Sequence, residues 1–176
     1  EDFDRVLGGG IVAGSVSLLA GEPGIVKCTL LLQAAANIAV EKREAGSEKR
    51  DPVSRIAPPA SVIYVSGEES PEQIKIRAQR LGIKSENLLF LNETDVDTII
   101  ETVEKREAGS EKRDPASRIT PPASNLLVVI DSIQTLTTSD LTGTAGSVGQ
   151  VRECTNRLLN LAKSKGIPTI LVGHIT

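Results

Sequence analysis

The segment Gly21-Glu22-Pro23-Gly24-Ile25-Val26-Lys27-Cys28-Thr29 has residue types and a spacing that could do chemistry. A phosphate-binding loop reads G-x-x-x-x-G-K-[ST]. Its backbone N–H groups and a helix N-terminus hold phosphate oxygens, its lysine neutralises β/γ charge, and its hydroxyl ligates Mg²⁺. Gly21, Gly24 and Lys27 fit that pattern, whereas Val26 stands where the second fixed glycine belongs and Cys28 where the hydroxyl belongs. A β-branched residue restricts backbone approach to a phosphate. A thiol is a soft donor, and Mg²⁺ takes hard oxygens, so Cys28 is a poor metal ligand. Thr29 carries a hydroxyl, but one residue on it is rotated about 100° round a helix. An apolar run, a Gly-rich turn, a lysine and a helix-forming stretch still follow in order. They predict a degenerate phosphate loop rather than an ordinary strand–helix turn.

Three further segments end apolar runs in polar residues. Tyr64-Val65-Ser66-Gly67-Glu68-Glu69-Ser70 offers two carboxylates that could accept a proton from an attacking water or orient it. The same pair could instead open the next helix, where acids suit the dipole. Leu126-Leu127-Val128-Val129-Ile130-Asp131-Ser132 puts a carboxylate at a strand's end, where a Mg²⁺–water shell would lie beside a phosphate loop. Asp131 could alternatively cap the turn that follows. Gly173-His174 closes the last apolar run; a lone histidine is more often a satisfied structural residue, but a polar residue on this edge can sense a terminal phosphate.

The elements that must position these groups are short. Apolar runs at 15–20, 62–65, 88–91, 126–130 and 169–172 read as buried strands, the third being ambiguous with a helix end. Helical stretches at 27–40, 71–81, 95–103 and 148–163 alternate with them. Alternation of this kind predicts an α/β fold, a mostly parallel sheet with helices on both faces, and ligands at the carboxyl ends of its strands. A near-exact repeat interrupts the pattern: residues 41–61 and 104–124 differ at only two of 21 positions. Each copy holds nine charges and three prolines with few bulky apolar residues, a composition that predicts a solvated insertion.

Composition narrows the function classes. The 176 residues carry a net charge of −3 and suit a single domain, 1–176. Two cysteines and one histidine exclude a Cys₂His₂ or Cys₄ zinc site and give no secreted disulfide framework, so a reducing, intracellular setting is expected. No run approaches the ~18 apolar residues of a membrane span. The absence of any methionine and the end of the chain directly after an apolar run predict a piece of a longer protein.

Taken together, these segments resemble the RadA (Sms) family of RecA-like DNA repair ATPases. The resemblance is carried by Arg5-Val6-Leu7-Gly8-Gly9-Gly10-Ile11-Val12, Leu30-Leu31-Leu32-Gln33, residues 64–70 with Glu72-Gln73-Ile74, Val129-Ile130-Asp131-Ser132-Ile133-Gln134-Thr135, Gln150-Val151-Arg152-Glu153-Cys154 and Val172-Gly173-His174. The Gly143-Thr144-Ala145-Gly146 stretch and the insertion before the second strand look more like the plant members. The resemblance implies a RecA-like ATPase core with Lys27 as phosphate-loop lysine, Glu68 as catalytic glutamate, Asp131 at the Mg²⁺ site and His174 as sensor. It also implies ATP and Mg²⁺ as cofactors and single-stranded DNA as partner, with a hexameric ring in recombination and branch migration and a recombinase as a further partner. The expected setting is bacterial cytoplasm or a plant organelle or nucleus. The loop at 137–149 stands where such proteins place a DNA-contacting loop, yet it has no Lys, Arg or aromatic residue, and an ordinary flexible loop fits it equally. Because Val26 and Cys28 break the loop pattern, a non-hydrolysing nucleotide-binding or oligomerisation module is the alternative to an ATP hydrolase.

Overall fold

A computed structural model describes residues 11–22, 25–40, 61–84, 86–109 and 126–174. Five parallel strands form one sheet: β1 (Val16–Gly21), β2 (Ser61–Ser66), β3 (Leu88–Asn92), β4 (Leu126–Asp131) and β5 (Thr169–His174), in the order β1-β5-β4-β2-β3. Four helices connect them: α1 (Ile25–Val40), α2 (Pro71–Arg80), α3 (Val96–Gly109) and α4 (Val148–Lys165). The α/β expectation holds, and residues 88–91 are strand, not helix end.

Strand period 2 sorts side chains onto two faces. Val62, Tyr64, Leu127, Val129, Ile170 and Val172 pack with Leu31, Leu32, Ala35, Ala36 and Ala39 of α1 and with Ile74 and Ala78 of α2. The intervening Ile63, Val65, Val128, Ile130 and Leu171 pack on the other face against Val96, Ile99 and Val103 of α3 and Cys154, Leu158 and Leu161 of α4. Both faces of β2 and β4 are covered, which is why those runs are continuously apolar rather than alternating. With almost no aromatic residue, the core is Leu, Ile, Val and Ala, as composition requires.

Helix ends follow local chemistry. Ser70 caps α2 by accepting from the Gln73 N–H while the Gln73 side chain accepts from the Ser70 N–H, with Pro71 in the first turn. Gly166 ends α4 in the left-handed region at φ 67°, a conformation that favours glycine.

The second repeat copy begins within a helix. Residues 104–109, mostly exposed, complete α3, where Glu104 faces Lys165 of α4 at 3.4 Å. Alanine and charged residues are good helix formers, so the helix runs on past the apolar stripe until Gly109. Ser61, the last residue of the first copy, likewise begins β2. The remainder of both copies, 41–60 and 110–124, lies outside the described residues. Among the described residues no helix is long and apolar enough to cross a membrane.

Candidate functional site

Strand order decides what meets at the carboxyl edge. β1, β5, β4 and β2 are consecutive neighbours, with Gly21 in register with His174 and Ser66 with Asp131. The chain leaves β1 for β2, passes outward to β3, and returns through β4 and β5 to fill the gap. The four segments singled out above therefore end side by side, at the crevice where open α/β sheets bind ligands.

The β1 end carries the loop lysine. Helix α1 starts at Ile25, two residues before the predicted position, so Lys27 sits in its first turn. Its ammonium donates to the Gly21 carbonyl at 2.7 Å and to the Glu22 carbonyl. Gly21 leaves room for this: a Cβ there would lie 3.3 Å from the Lys27 Cδ. Val26 is 81 % exposed, so its side chain projects outward at the helix start. Pro23 and Gly24 lie outside the described residues, and nothing is described of the Ile25 side chain. Thr29 lines a groove of about 430 Å³ with Gln73, Ile76, Arg77, Arg80 and Leu81 of the α2 region.

At the β4 end, the buried Asp131 carboxylate accepts from the Tyr64 hydroxyl at 2.6 Å. Burial, and then the neighbouring Asp131 charge, push the Tyr64 phenol far above its ordinary range, so it remains a donor. The Cys28 thiol lies half-buried beside the same carboxylate. Burial first, and Asp131 second, push this thiol up to about 12, which keeps it protonated at neutral pH. A thiol and a carboxylate already engaged by a phenol make a donor set that does not fit Mg²⁺.

At the β2 end, local sequence left two carboxylates alike and only the family resemblance pointed to Glu68; the structure gives them different surroundings. Glu69 is structural: its side chain pairs with Arg77, its N–H donates to Ser66 Oγ at 3.1 Å, and its carbonyl accepts from Asn92 at 2.8 Å. Glu68 is the freer group, 56 % exposed at the side chain, with Ser132 Oγ at 3.4 Å and His174 Nε2 at 3.8 Å from its Oε1. His174 is mostly buried, and its Nδ1 has no hydrogen-bond partner among the described residues. Gln134 donates to the His174 carbonyl at 3.1 Å and so ties the end of β5 to the turn after β4.

Gly67 allows the approach of these elements. A Cβ at this position would sit 2.3 Å from Thr135 Oγ1 and 2.7 Å from Thr135 Cβ. Gly67→Ala is therefore expected to lower stability by about 1–3 kcal/mol, the usual range for overpacking. Urea unfolding measures it, and an unchanged midpoint would show that the turn after β4 yields freely.

Sequence reading did not single out Tyr64, Ser132 or Gln134 as site residues. Period 2 was the available signal for Tyr64: it shares a face with Ser66, and the register β2–β4 puts that face beside Asp131. Ser132 and Gln134 carry no such periodicity, because they lie in a turn and a single 3₁₀ turn (Ile133–Thr135). The 137–149 loop leaves the same edge but is tied down. Buried Gln150 accepts from the Thr138 N–H at 2.8 Å and donates to the Leu141 carbonyl at 2.8 Å, while Arg157 holds Asp140 at 2.6 Å.

Comparison with known proteins agrees with the geometry. The model of a family described as "AAA domain" matches residues 3–176. The chain is similar to the DNA repair protein RadA of Bacillus subtilis, 43% identical over 175 residues, which is 99% of this chain and 31% of that protein. It is also similar to the DNA repair protein RadA of Aquifex aeolicus, 42% identical over 176 residues, covering 100% of this chain and 32% of that protein. With the Campylobacter jejuni protein of the same name the identity is 38%, over all of this chain and 32% of the relative. The chain spans about a third of the length of these curated relatives.

Proposed function

We propose, from the premise that this chain belongs to the AAA domain family and is RadA-like over its whole length, that it is the ATP-binding and ATP-hydrolysing core of a DNA repair and recombination protein. The observation that carries this reading is the convergence of Lys27, Glu68, Asp131 and His174 on four adjacent strand ends.

In this reading Lys27 and the N-terminus of α1 meet the phosphate charge, the lysine exchanging its Gly21 and Glu22 carbonyl partners for phosphate oxygens. Glu68 orients the attacking water or takes its proton, and its exposure leaves room for that water. Phosphoryl transfer needs positioning and charge stabilisation more than covalent chemistry, so a carboxylate held between Ser132 and His174 is suited to the task. His174, in register with Gly21 and tied to Gln134, reports the terminal phosphate to the turn after β4. Single-stranded DNA is the proposed partner, supported by the name of the relatives and by the 137–149 loop on the same edge. That loop lacks the basic and aromatic residues of most single-strand binders, so a ring of copies, with a recombinase as partner, would have to complete the DNA surface. The proposed setting is intracellular.

The test is steady-state phosphate release with and without single-stranded DNA. Slow turnover that rises when DNA is added is the expected result. ATP binding with no turnover under either condition would leave a non-hydrolysing module, and no binding at all would remove the nucleotide reading.

A further inference from the structure

We infer that the corner between α1 and β4 is closed by its own hydrogen bonding, so that this chain binds ATP without help from Mg²⁺, with the sulfur of Cys28 setting that behaviour. The inference rests on the nucleotide reading above and goes beyond it.

A divalent cation beside a phosphate loop needs a hard oxygen from the first turn of the helix and a carboxylate free to hold its water shell. Mg²⁺ in particular demands near-octahedral oxygen ligation and gives up its waters reluctantly. Here the first-turn position supplies sulfur. The carboxylate, only 8 % exposed, spends Oδ2 on the Tyr64 hydroxyl at 2.6 Å. Two described hydroxyls near this carboxylate are already engaged. Ser66 Oγ takes the Glu69 N–H and Ser132 Oγ is 3.4 Å from Glu68, while Thr29 lines the groove against α2. Among the described residues no group of three or more His, Cys, Asp and Glu side chains could hold a metal ion. Among the described residues, Lys27 and the α1 N-terminus offer positive charge to a triphosphate at the loop, and neither depends on a divalent cation.

The experiment is calorimetric titration of the whole chain with ATP, once in EDTA and once in excess MgCl₂, for the parent, Cys28→Ser and Lys27→Ala. The parent is expected to give dissociation constants within twofold of each other in the two buffers. Cys28→Ser exchanges sulfur for oxygen at nearly constant volume and should gain at least fivefold in affinity on adding Mg²⁺. Cys28→Thr serves as the second variant should the serine protein fail to fold. An infrared difference spectrum, parent minus Cys28→Ser, isolates the Cys28 S–H stretch, which should be the same with ATP alone as with ATP and Mg²⁺. A parent whose affinity rises fivefold or more with Mg²⁺, or whose S–H band disappears, overturns the inference and leaves the nucleotide reading standing. Serine and threonine variants that remain indifferent to Mg²⁺ overturn the role given to sulfur. Absence of ATP binding in both buffers, or equal affinity in Lys27→Ala, overturns the nucleotide reading and this inference with it.

Discussion

Replacing Val26 by Gly and Cys28 by Ser together is expected to raise steady-state phosphate release at least tenfold, equivalent to about 1.4 kcal/mol off the barrier. Glycine removes a side chain that stands 81 % exposed at the start of α1, where a phosphate would approach the backbone. Serine supplies an oxygen in place of the thiol beside Asp131. Both changes act on one phosphate–loop unit, so the pair should exceed the product of the single effects. Glycine in a helix costs up to about 1 kcal/mol, so thermal unfolding should be followed in parallel. Adding Glu68→Gln to the restored loop should then lower turnover by about 10²–10⁴ while sparing ATP affinity, as expected of a group that acts on the attacking water. Phosphate release by the four loop variants and the Glu68 variant decides the matter. Equal rates for parent and restored loop would place the defect outside Val26 and Cys28.

Lys27→Ala is expected to weaken ATP binding at least tenfold, about 1.4 kcal/mol. The lysine spans from the first turn of α1 to the carbonyls of Gly21 and Glu22, across the turn where a phosphate would sit. Truncation removes the one side-chain cation described there and leaves only the helix N-terminus to meet the triphosphate charge. The same truncation frees the exposed Glu22 carbonyl and the part-buried Gly21 carbonyl, a cost of about 1 kcal/mol. Affinity should therefore fall more than stability. Titration with ATP alongside thermal unfolding separates the two, and a parallel loss in both would show that Lys27 is a strut of the loop.

Much was legible in sequence because it depends on local order. Five apolar runs alternating with helical stretches have one low-energy arrangement, a parallel sheet covered on both faces, and the buried patterns of β2 and β4 follow from that cover. The placement of the candidate residues at strand ends was legible for the same reason: each is the first polar residue group after an apolar run, and strand ends in such sheets face the crevice. The extent of α3 was less so. The second repeat copy reads as solvated from its first residue, but helix propensity of Glu, Lys, Arg and Ala carries α3 to Gly109. Only the tertiary structure decided three things. It tied Glu69 down and left Glu68 the freer carboxylate, because Arg77 and Asn92 are eight and 23 residues from Glu69 in the chain and claim it only once folded. It brought Tyr64 onto Asp131, 67 residues away, through the β2–β4 register. And it set Cys28 beside that same carboxylate, because α1 packs on the face to which Tyr64 and Val129 point. Local sequence encodes which groups reach the edge of the sheet. Strand order and register, summed over long-range contacts, determine which of them meet.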